Sequence, residues 1–352
     1  MISVGLISNL KSGKNLRDIL RYGKSRRLQR LRKIVRDGNT GALYVTGKSE
    51  HYLEELEQKV MILCEDRPLV VAIDGGDNTQ ATVTTMIEKH WVGDELPIFA
   101  MLGGGSFRLL FKRLGVKNSY DYLEKIVRSN DVNDFSVEGI EMMRIRDDSK
   151  REHLCFSTGT GLPVTLLDEV YQRKSWRNVS VAWMIARTLL SAAFNGTYYK
   201  RFDVHRKMRI NAEGHVGELC KEGEWLGVIA HSISTLGIPR YFPKPRLFED
   251  AETKERFHAV GTKADIKTLL KYILPIYMRD RPHYFNRDRK EVIPVLDLDH
   301  QLKEMTIQSE EPFVYQFNGD STIENLPCMT RELYIHSGRN LNFIKDEFKK
   351  VW

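Results

Sequence analysis

Residues 75–79 read Gly-Gly-Asp-Asn-Thr, two glycines followed by a carboxylate and two small polar side chains. They come directly after Leu69 to Ile73, a continuous apolar run rich in β-branched residues and too short for a buried helix. Such a run reads as a parallel strand covered on both faces. Glycine lacks a Cβ and tolerates positive φ, so the backbone N–H groups of a glycine turn can come close to another molecule's phosphates. The next segment, Gln80 to Trp91, carries Ala81, Val83, Met86, Ile87 and Trp91 as a helical stripe. Its N-terminus offers unpaired N–H donors and the positive end of the helix dipole, a place suited to an anion. Asp77 sits there as a carboxylate, where it can cap the helix, hold a divalent cation or accept a proton during chemistry. An ordinary strand-to-helix connection with an N-cap accounts for the same residues without any ligand.

Two further turns have this character. The apolar residues 2–8 end in Ser8-Asn9-Leu10-Lys11-Ser12-Gly13-Lys14-Asn15, where Lys11 and Lys14 can offer positive charge to a phosphate. The spacing G-x-x-x-x-G-K-[ST] is absent, so this turn is not a P-loop. Leu96 to Leu102 makes another strand, ending in Gly103-Gly104-Gly105-Ser106-Phe107 before a helix that runs to Leu114.

These turns need a frame that brings them together. Strand candidates at residues 2–8, 42–46, 69–73 and 96–102 alternate with helices at 11–36, 52–64 and 80–91, which predicts a parallel sheet with helices on both faces. In such an open sheet, ligands bind outside the carboxyl ends of the strands. Three glycine-bearing turns converging on that edge favour a nucleotide site more than any single one does. The helix at 11–36 carries eleven Lys or Arg against one acidic residue, Asp18. One face should pack inward and a basic face outward, either simply solvated or meeting anionic lipid or an acidic substrate.

Beyond about residue 130 the texture changes to short strand candidates: 135–145, 153–157, 204–210, 225–231, 257–260, 292–298, 303–308, 313–317 and 332–335. Helices are expected at 162–171, 178–194 and 264–278, the first of them following Thr158-Gly159-Thr160-Gly161. This predicts an antiparallel second domain, a sandwich. The expected division is 1–134 for the α/β nucleotide-binding domain, 135–335 for a β-rich lipid-substrate domain, and 336–352 for a segment returning toward the first. A cleft between the two domains is expected.

At 352 residues the chain suits two domains, and no apolar stretch reaches the length of a bilayer span. Its first residues lack the pattern of a signal peptide, so a cytoplasmic protein is expected. Cys64, Cys155, Cys220 and Cys328 are scattered and suit reduced thiols. The formal charge of +7 and pI near 9.0 favour acidic partners. No histidine pair has a helical metal spacing. The aromatic and basic run Tyr198 to Arg209 is compatible with a nucleic-acid groove, but no recognised binding module accompanies it, and no nucleic-acid partner is expected.

The chain resembles the diacylglycerol kinase catalytic family, which includes bacterial lipid kinases and sphingosine kinases, as a divergent member. Asn9-Leu10-Lys11-Ser12-Gly13 is similar to the family's Asn-Pro-x-Ser-Gly, and Gly75-Gly76-Asp77-Asn78-Thr79 to its Gly-Gly-Asp-Gly-Thr. Gly105-Ser106 with Leu114-Gly115 looks like a third family motif, and Asn318-Gly319-Asp320 corresponds to the late Asp-Gly-Glu. The resemblance implies an α/β nucleotide-binding domain of the NAD kinase and diacylglycerol kinase type followed by a β-sandwich. It implies transfer of the ATP γ-phosphoryl group to a lipid hydroxyl, diacylglycerol-like or sphingoid, assisted by Mg²⁺ at a peripheral, anionic membrane surface. Carried over by position, Asn9, Lys11, Ser12, Gly13, Gly75, Gly76, Asn78, Thr79, Gly104, Gly105 and Ser106 would hold the nucleotide. Asp77 would accept the hydroxyl proton or orient the metal, and Asp320 would stand near the metal and phosphates. The sequence departs from the pattern at Leu10, Asn78, Arg108 and Asn318, which leaves a nucleotide- or lipid-binding relative without turnover as the alternative.

Overall fold

The computed structural model describes residues 2–38, 41–46, 51–104, 109–172, 187–188, 190–192, 194, 196–214, 217–232, 256–269, 296–318, 322–323 and 326–348. By contacts the chain divides into one unit of Met1–Ile140 with Asn340–Trp352 and another of Glu141–Arg339.

The first unit is built on β1 (Val4–Ser8), β2 (Gly41–Val45), β3 (Val70–Asp74) and β4 (Ile98–Met101). These are parallel and lie side by side in the order β2-β1-β3-β4. Leu6, Ile7, Val70, Val71, Ala72 and Ile73 are fully buried, as an all-apolar strand covered on both faces requires. The helices are α1 (Gly13–Tyr22), α2 (Arg26–Asp37), α3 (Tyr52–Asp66), α4 (Asp77–His90), α5 (Leu109–Arg113) and α6 (Ser119–Arg128). From β1 the chain steps outward to β2 and then returns across β1 to β3. The strand order therefore reverses between β1 and β3, and the crevice of an open α/β sheet lies at the carboxyl ends of such a pair. Ser8 and Asp74 end those two strands and are partners in register.

The single basic helix expected over 11–36 is two helices. Gly23 ends α1 in the left-handed conformation (φ 70°), its N–H bonded to the Ile19 carbonyl, a C-cap that glycine adopts without strain. Ser25 then opens α2 by accepting from the Leu28 N–H. The amphipathic α6, with Tyr122, Leu123, Ile126 and Val127 buried, is an element absent from the sequence-based expectation.

The second unit is antiparallel. Its strands are β5 (Phe135–Asp147, entering from the first unit), β6 (Glu152–Cys155), β7 (Ser157–Gly161), β8 (Arg206–Gly214), β9 (Gly217–Trp225), β10 (Gly227–His231), β11 (Phe257–Thr262) and β12 (Leu298–Phe317). A two-residue pairing of β13 (Thr322–Ile323) with β14 (Leu326–Pro327) follows, then β15 (Met329–Phe348), and α7 (Leu162–Gln172) sits after β7. Phe343, in the part of β15 that belongs to the first unit, pairs with Phe99 of β4.

Three differences from expectation stand out here. The separate strands at 303–308 and 313–317 belong to one strand, β12, with a register shift between Gln308 and Phe313. Pro312 lies in that shift, where a missing N–H is tolerated within a strand. The short strand at 332–335 is part of β15, which is 20 residues long. Thr158 to Gly161, left outside the expected strand 153–157, is strand: the Thr158 and Thr160 hydroxyls each donate to a β12 carbonyl, at Gln316 and Val314, at 2.8 Å. The helix expected at 178–194 is described as helical only at 187–188 and 190–192, and that at 264–278 only at 266–269; 194, 264 and 265 are described and not helical, and the remaining positions lie outside the described residues, as do 292–295.

Candidate functional site

Three polar turns come together at the carboxyl ends of β1, β3 and β4. A Cβ added to Gly104 would stand 3.1 Å from both Asp74 Oδ1 and Ser12 Oγ, and 3.2 Å from the Gly75 Cα, so residues of all three turns are in contact at that glycine. The Lys14 N–H donates to the Gly104 carbonyl (3.0 Å), and the Asn9 amide donates to Thr79 Oγ1 (3.0 Å). The Asn9 N–H donates to the Asp74 carbonyl (3.0 Å). Gly103 adopts φ 60°, which turns the chain out of β4 in a conformation costly for any residue with a Cβ.

The anchor of the arrangement is a residue that the motif reading passed over. Asp74, at the end of β3 and wholly buried, pairs with the Arg27 guanidinium at 2.7 Å. Its other oxygen accepts from Ser8 Oγ at 2.7 Å and from the Asn15 amide at 2.9 Å. Arg27 Nη2 donates to the Leu102 carbonyl at 2.5 Å, and Ser25 Oγ donates to Asn15 Oδ1 at 2.6 Å. One carboxylate thereby ties β1, α1, α2 and the end of β4 to β3. A buried charge is tolerable only when paired and hydrogen-bonded, and Asp74 is both. The sequence carried a signal for this. Arg27 shares the i, i+4, i+8 stripe with Leu31 and Val35, and all three are buried in α2.

Asp77 opens α4 as its first-turn acid, 5% exposed, after the N-cap Gly76 at φ −87°. No side-chain cap closes that N-terminus. Neither Gly75 nor Gly76 has positive φ, so the expected use of glycine there for a left-handed turn is corrected. At Gly75 the missing Cβ makes room for Thr79, whose Cβ would otherwise be 2.4 Å away. In the Asn9 turn the backbone donors are already occupied: the Lys11 N–H bonds Asn9 Oδ1 (2.8 Å), the Ser12 N–H bonds the Asn9 carbonyl (3.1 Å), and the Leu10 N–H bonds Thr46 Oγ1 (3.3 Å). Lys11 Nζ lies 4.4 Å from the Tyr52 ring centroid.

The structure thus brings together Asn9, Ser12, Gly75, Thr79 and Gly104, and Lys11, Gly13, Gly76, Asp77 and Asn78 adjoin them in the chain. Gly105, Ser106 and Asp320 lie outside the described residues. Asn318 is described, in the second unit: in the left-handed region at φ 50°, its side-chain carbonyl accepts the N–H groups of Phe156 (2.9 Å) and Ser157 (3.2 Å). That is a backbone clamp, which a neutral amide performs well.

A phosphate fits this rim, because an α-helix N-terminus without a side-chain cap faces turns whose glycines let backbone come close. A magnesium ion fits Asp77. Among the described residues no three His, Cys, Asp or Glu side chains are grouped to hold a metal, and magnesium is commonly held by one or two carboxylates with substrate phosphates. Among the described residues no helix is long and apolar enough to cross a membrane.

No family profile and no curated protein sequence matches this chain. Solved structures do. A diacylglycerol kinase from Bacillus anthracis str. Sterne is similar at 14% identity and TM-score 0.57, over 98% of this chain and 97% of that one. A second structure from that organism, provisionally named a diacylglycerol kinase, aligns with TM-score 0.60 at 14% identity over 98% of this chain and 97% of that chain. A third, named in the same way, aligns with TM-score 0.59 at 15% identity over 98% of each chain. The α/β unit followed by a β-sandwich is the fold of these proteins.

Proposed function

We propose that this protein is an ATP-dependent lipid kinase that transfers a γ-phosphoryl group to a lipid hydroxyl of the diacylglycerol or sphingoid kind. The observation that carries the reading is the meeting of three polar turns at the β1/β3 reversal, with Asp77 at the adjoining N-terminus of α4. Phosphoryl transfer asks for positioning and charge stabilisation more than for covalent chemistry. The α4 N-terminus would hold the phosphates, and Gly104 and Gly75 keep the backbone of the neighbouring turns close around them. The Asp74 network holds those turns rigid, since Arg27, Ser8 and Asn15 leave Asp74 committed to structure. Asp77, the acid in the first turn of α4, is the carboxylate assigned to receive the acceptor hydroxyl's proton or to hold Mg²⁺. Bound Mg²⁺ would neutralise charge on the phosphates during transfer.

Asp77→Asn tests this. A general base contributes about 10²- to 10⁴-fold, so turnover of radiolabelled ATP on a panel of lipid extracts should fall by that order with the fold unchanged by circular dichroism. Full turnover in the purified variant ends the role given to Asp77. A second reading, nucleotide binding without turnover, draws on Asn318, whose amide serves the backbone at the place where the family pattern has an acid. It predicts ATP affinity in the wild-type chain and no labelled lipid from any extract.

A further inference from the structure

Lys11 stands in the turn after β1, between Asn9, whose amide bonds Thr79, and Ser12, whose hydroxyl lies beside Gly104. Its N–H is fixed by Asn9 Oδ1 at 2.8 Å, so its backbone belongs to the turn that meets the other two. The side chain runs to the β2 side of the rim, where Nζ is 4.4 Å from the centroid of the Tyr52 ring. Tyr52 is the first residue of α3, the helix that follows β2. The end of β2 is pinned to the Lys11 turn as well: the Thr46 N–H donates to the Ser8 carbonyl (3.1 Å) and the Leu10 N–H to Thr46 Oγ1 (3.3 Å). Among the described residues no carboxylate pairs with Lys11.

The kind of partner matters. Arg27, in the neighbouring helix, is paired with Asp74 and occupied by the Leu102 carbonyl, which commits it to the frame. An ammonium over an aromatic face is attracted by the ring's quadrupole, yet the ring neutralises neither its charge nor its three N–H donors. A carboxylate in the same place would do both, and an arriving phosphate would have to displace it. The Tyr52 ring restrains a flexible stem before binding and leaves the cation for an anion, which lowers the ordering cost of the contact. As packing alone, the same contact would fasten the start of α3 and make no difference to a ligand.

We propose that Tyr52 is a positioning residue for nucleotide binding, its ring holding the Lys11 ammonium ready for a phosphate of the nucleotide. The inference rests on the nucleotide-binding part of the proposed function and not on the transfer to lipid.

The test measures ATP affinity of the full chain by titration calorimetry, with no lipid present. Tyr52→Leu should weaken ATP about two- to fivefold, the contribution of one cation–ring contact at an exposed site. Tyr52→Phe, which keeps the ring, should restore the affinity. Lys11→Met should weaken ATP at least as much as Tyr52→Leu does, and Tyr52→Leu added to Lys11→Met should bring no further loss, because the ring then has no ammonium to hold. Unchanged affinity in Tyr52→Leu, an equal loss in Tyr52→Phe, or a loss from Tyr52→Leu that persists beside Lys11→Met overturns the proposal, the last marking Tyr52 as a support of α3 only. So does unchanged affinity in Lys11→Met, a comparison that holds even where Tyr52→Leu lowers the melting temperature. ATP binding without labelled lipid removes the kinase reading alone, and ATP binding indifferent to both residues removes the Tyr52 role alone. A wild-type chain that binds no ATP removes both.

Discussion

Two buried polar clusters, one in each unit, solve the same problem by opposite means. In the first unit Asp74 is paired with Arg27 and hydrogen-bonded by Ser8 and Asn15. In the second, the ends of β7 and β10 are held by neutral groups. His231 Nε2 lies 3.4 Å from Ser157 Oγ, the Gln316 amide 3.5 Å from the same hydroxyl, and Asn318 clamps the backbone of Phe156 and Ser157. Burial first, and the neighbouring His258 second, push His231 down to about 3, so it is uncharged at neutral pH. The carboxylate has the Arg27 guanidinium of α2 against it, whereas burial and the neighbouring His258 hold the His231 ring neutral. A charged anchor resists displacement strongly and fails badly when its partner is lost. A neutral one costs less to bury and is vulnerable to acid.

The largest effect expected from this contrast comes from Arg27→Met. It leaves Asp74 buried without a counter-charge, and removing one member of a buried pair costs about 3–5 kcal/mol. Chemical denaturation should show that loss, and adding Asp74→Leu should return part of it. A single variant as stable as the wild type would mean that Asp74 does not depend on Arg27.

Next comes Asn318→Ala, which strips the acceptor from two buried N–H groups, each costing about 1–3 kcal/mol when left unsatisfied. The urea midpoint should fall accordingly, and a midpoint like the wild type's in Asn318→Ala would count against the clamp.

The smallest effect, read between pH 7 and pH 5, is the acid limb of stability. His153 stacks on Phe317 with ring centroids 4.5 Å apart, and burial lowers it to about 4. For both histidines the unfolded chain binds a proton at a higher pH than the folded one does. Stability is therefore complete above about pH 6.5, falls as pH drops below it, and stops falling on this account near pH 4 for His153 and near 3 for His231. Each contributes a slope of about 1.4 kcal/mol per pH unit in its window. Urea titrations at pH 7 and pH 5 should flatten in His231→Gln and in His153→Gln by one proton's slope each, and a limb unchanged in both variants would place the acid sensitivity elsewhere.

Much of the first unit was legible in the chain. Apolar runs of strand length, each ending in glycine or small polar residues, specify a buried parallel sheet and its loop chemistry through local patterning alone. The meeting of Asn9, Gly75 and Gly104 follows from the strand order, which alternation of strand and helix nearly dictates. What patterning misses is which way an individual side chain turns. Arg27 looked like one cation among eleven, and only packing against β3 shows that it is the one opposite a buried carboxylate. In the second unit legibility was lower, because a strand's length is decided by the neighbours it finds. β12 continues for 20 residues by pairing successively with β11, β8, β15 and β7, and no window of its own sequence contains those partners. By itself, then, the sequence determined the kinds of elements in the first unit and the polar character of its turns, since these depend on residues near one another in the chain. The tertiary structure alone decided that Asp74 anchors the rim, that Asn318 serves the backbone, and that the Lys11 ammonium meets the Tyr52 ring, since burial and the partners of a charge depend on residues brought from far along the chain.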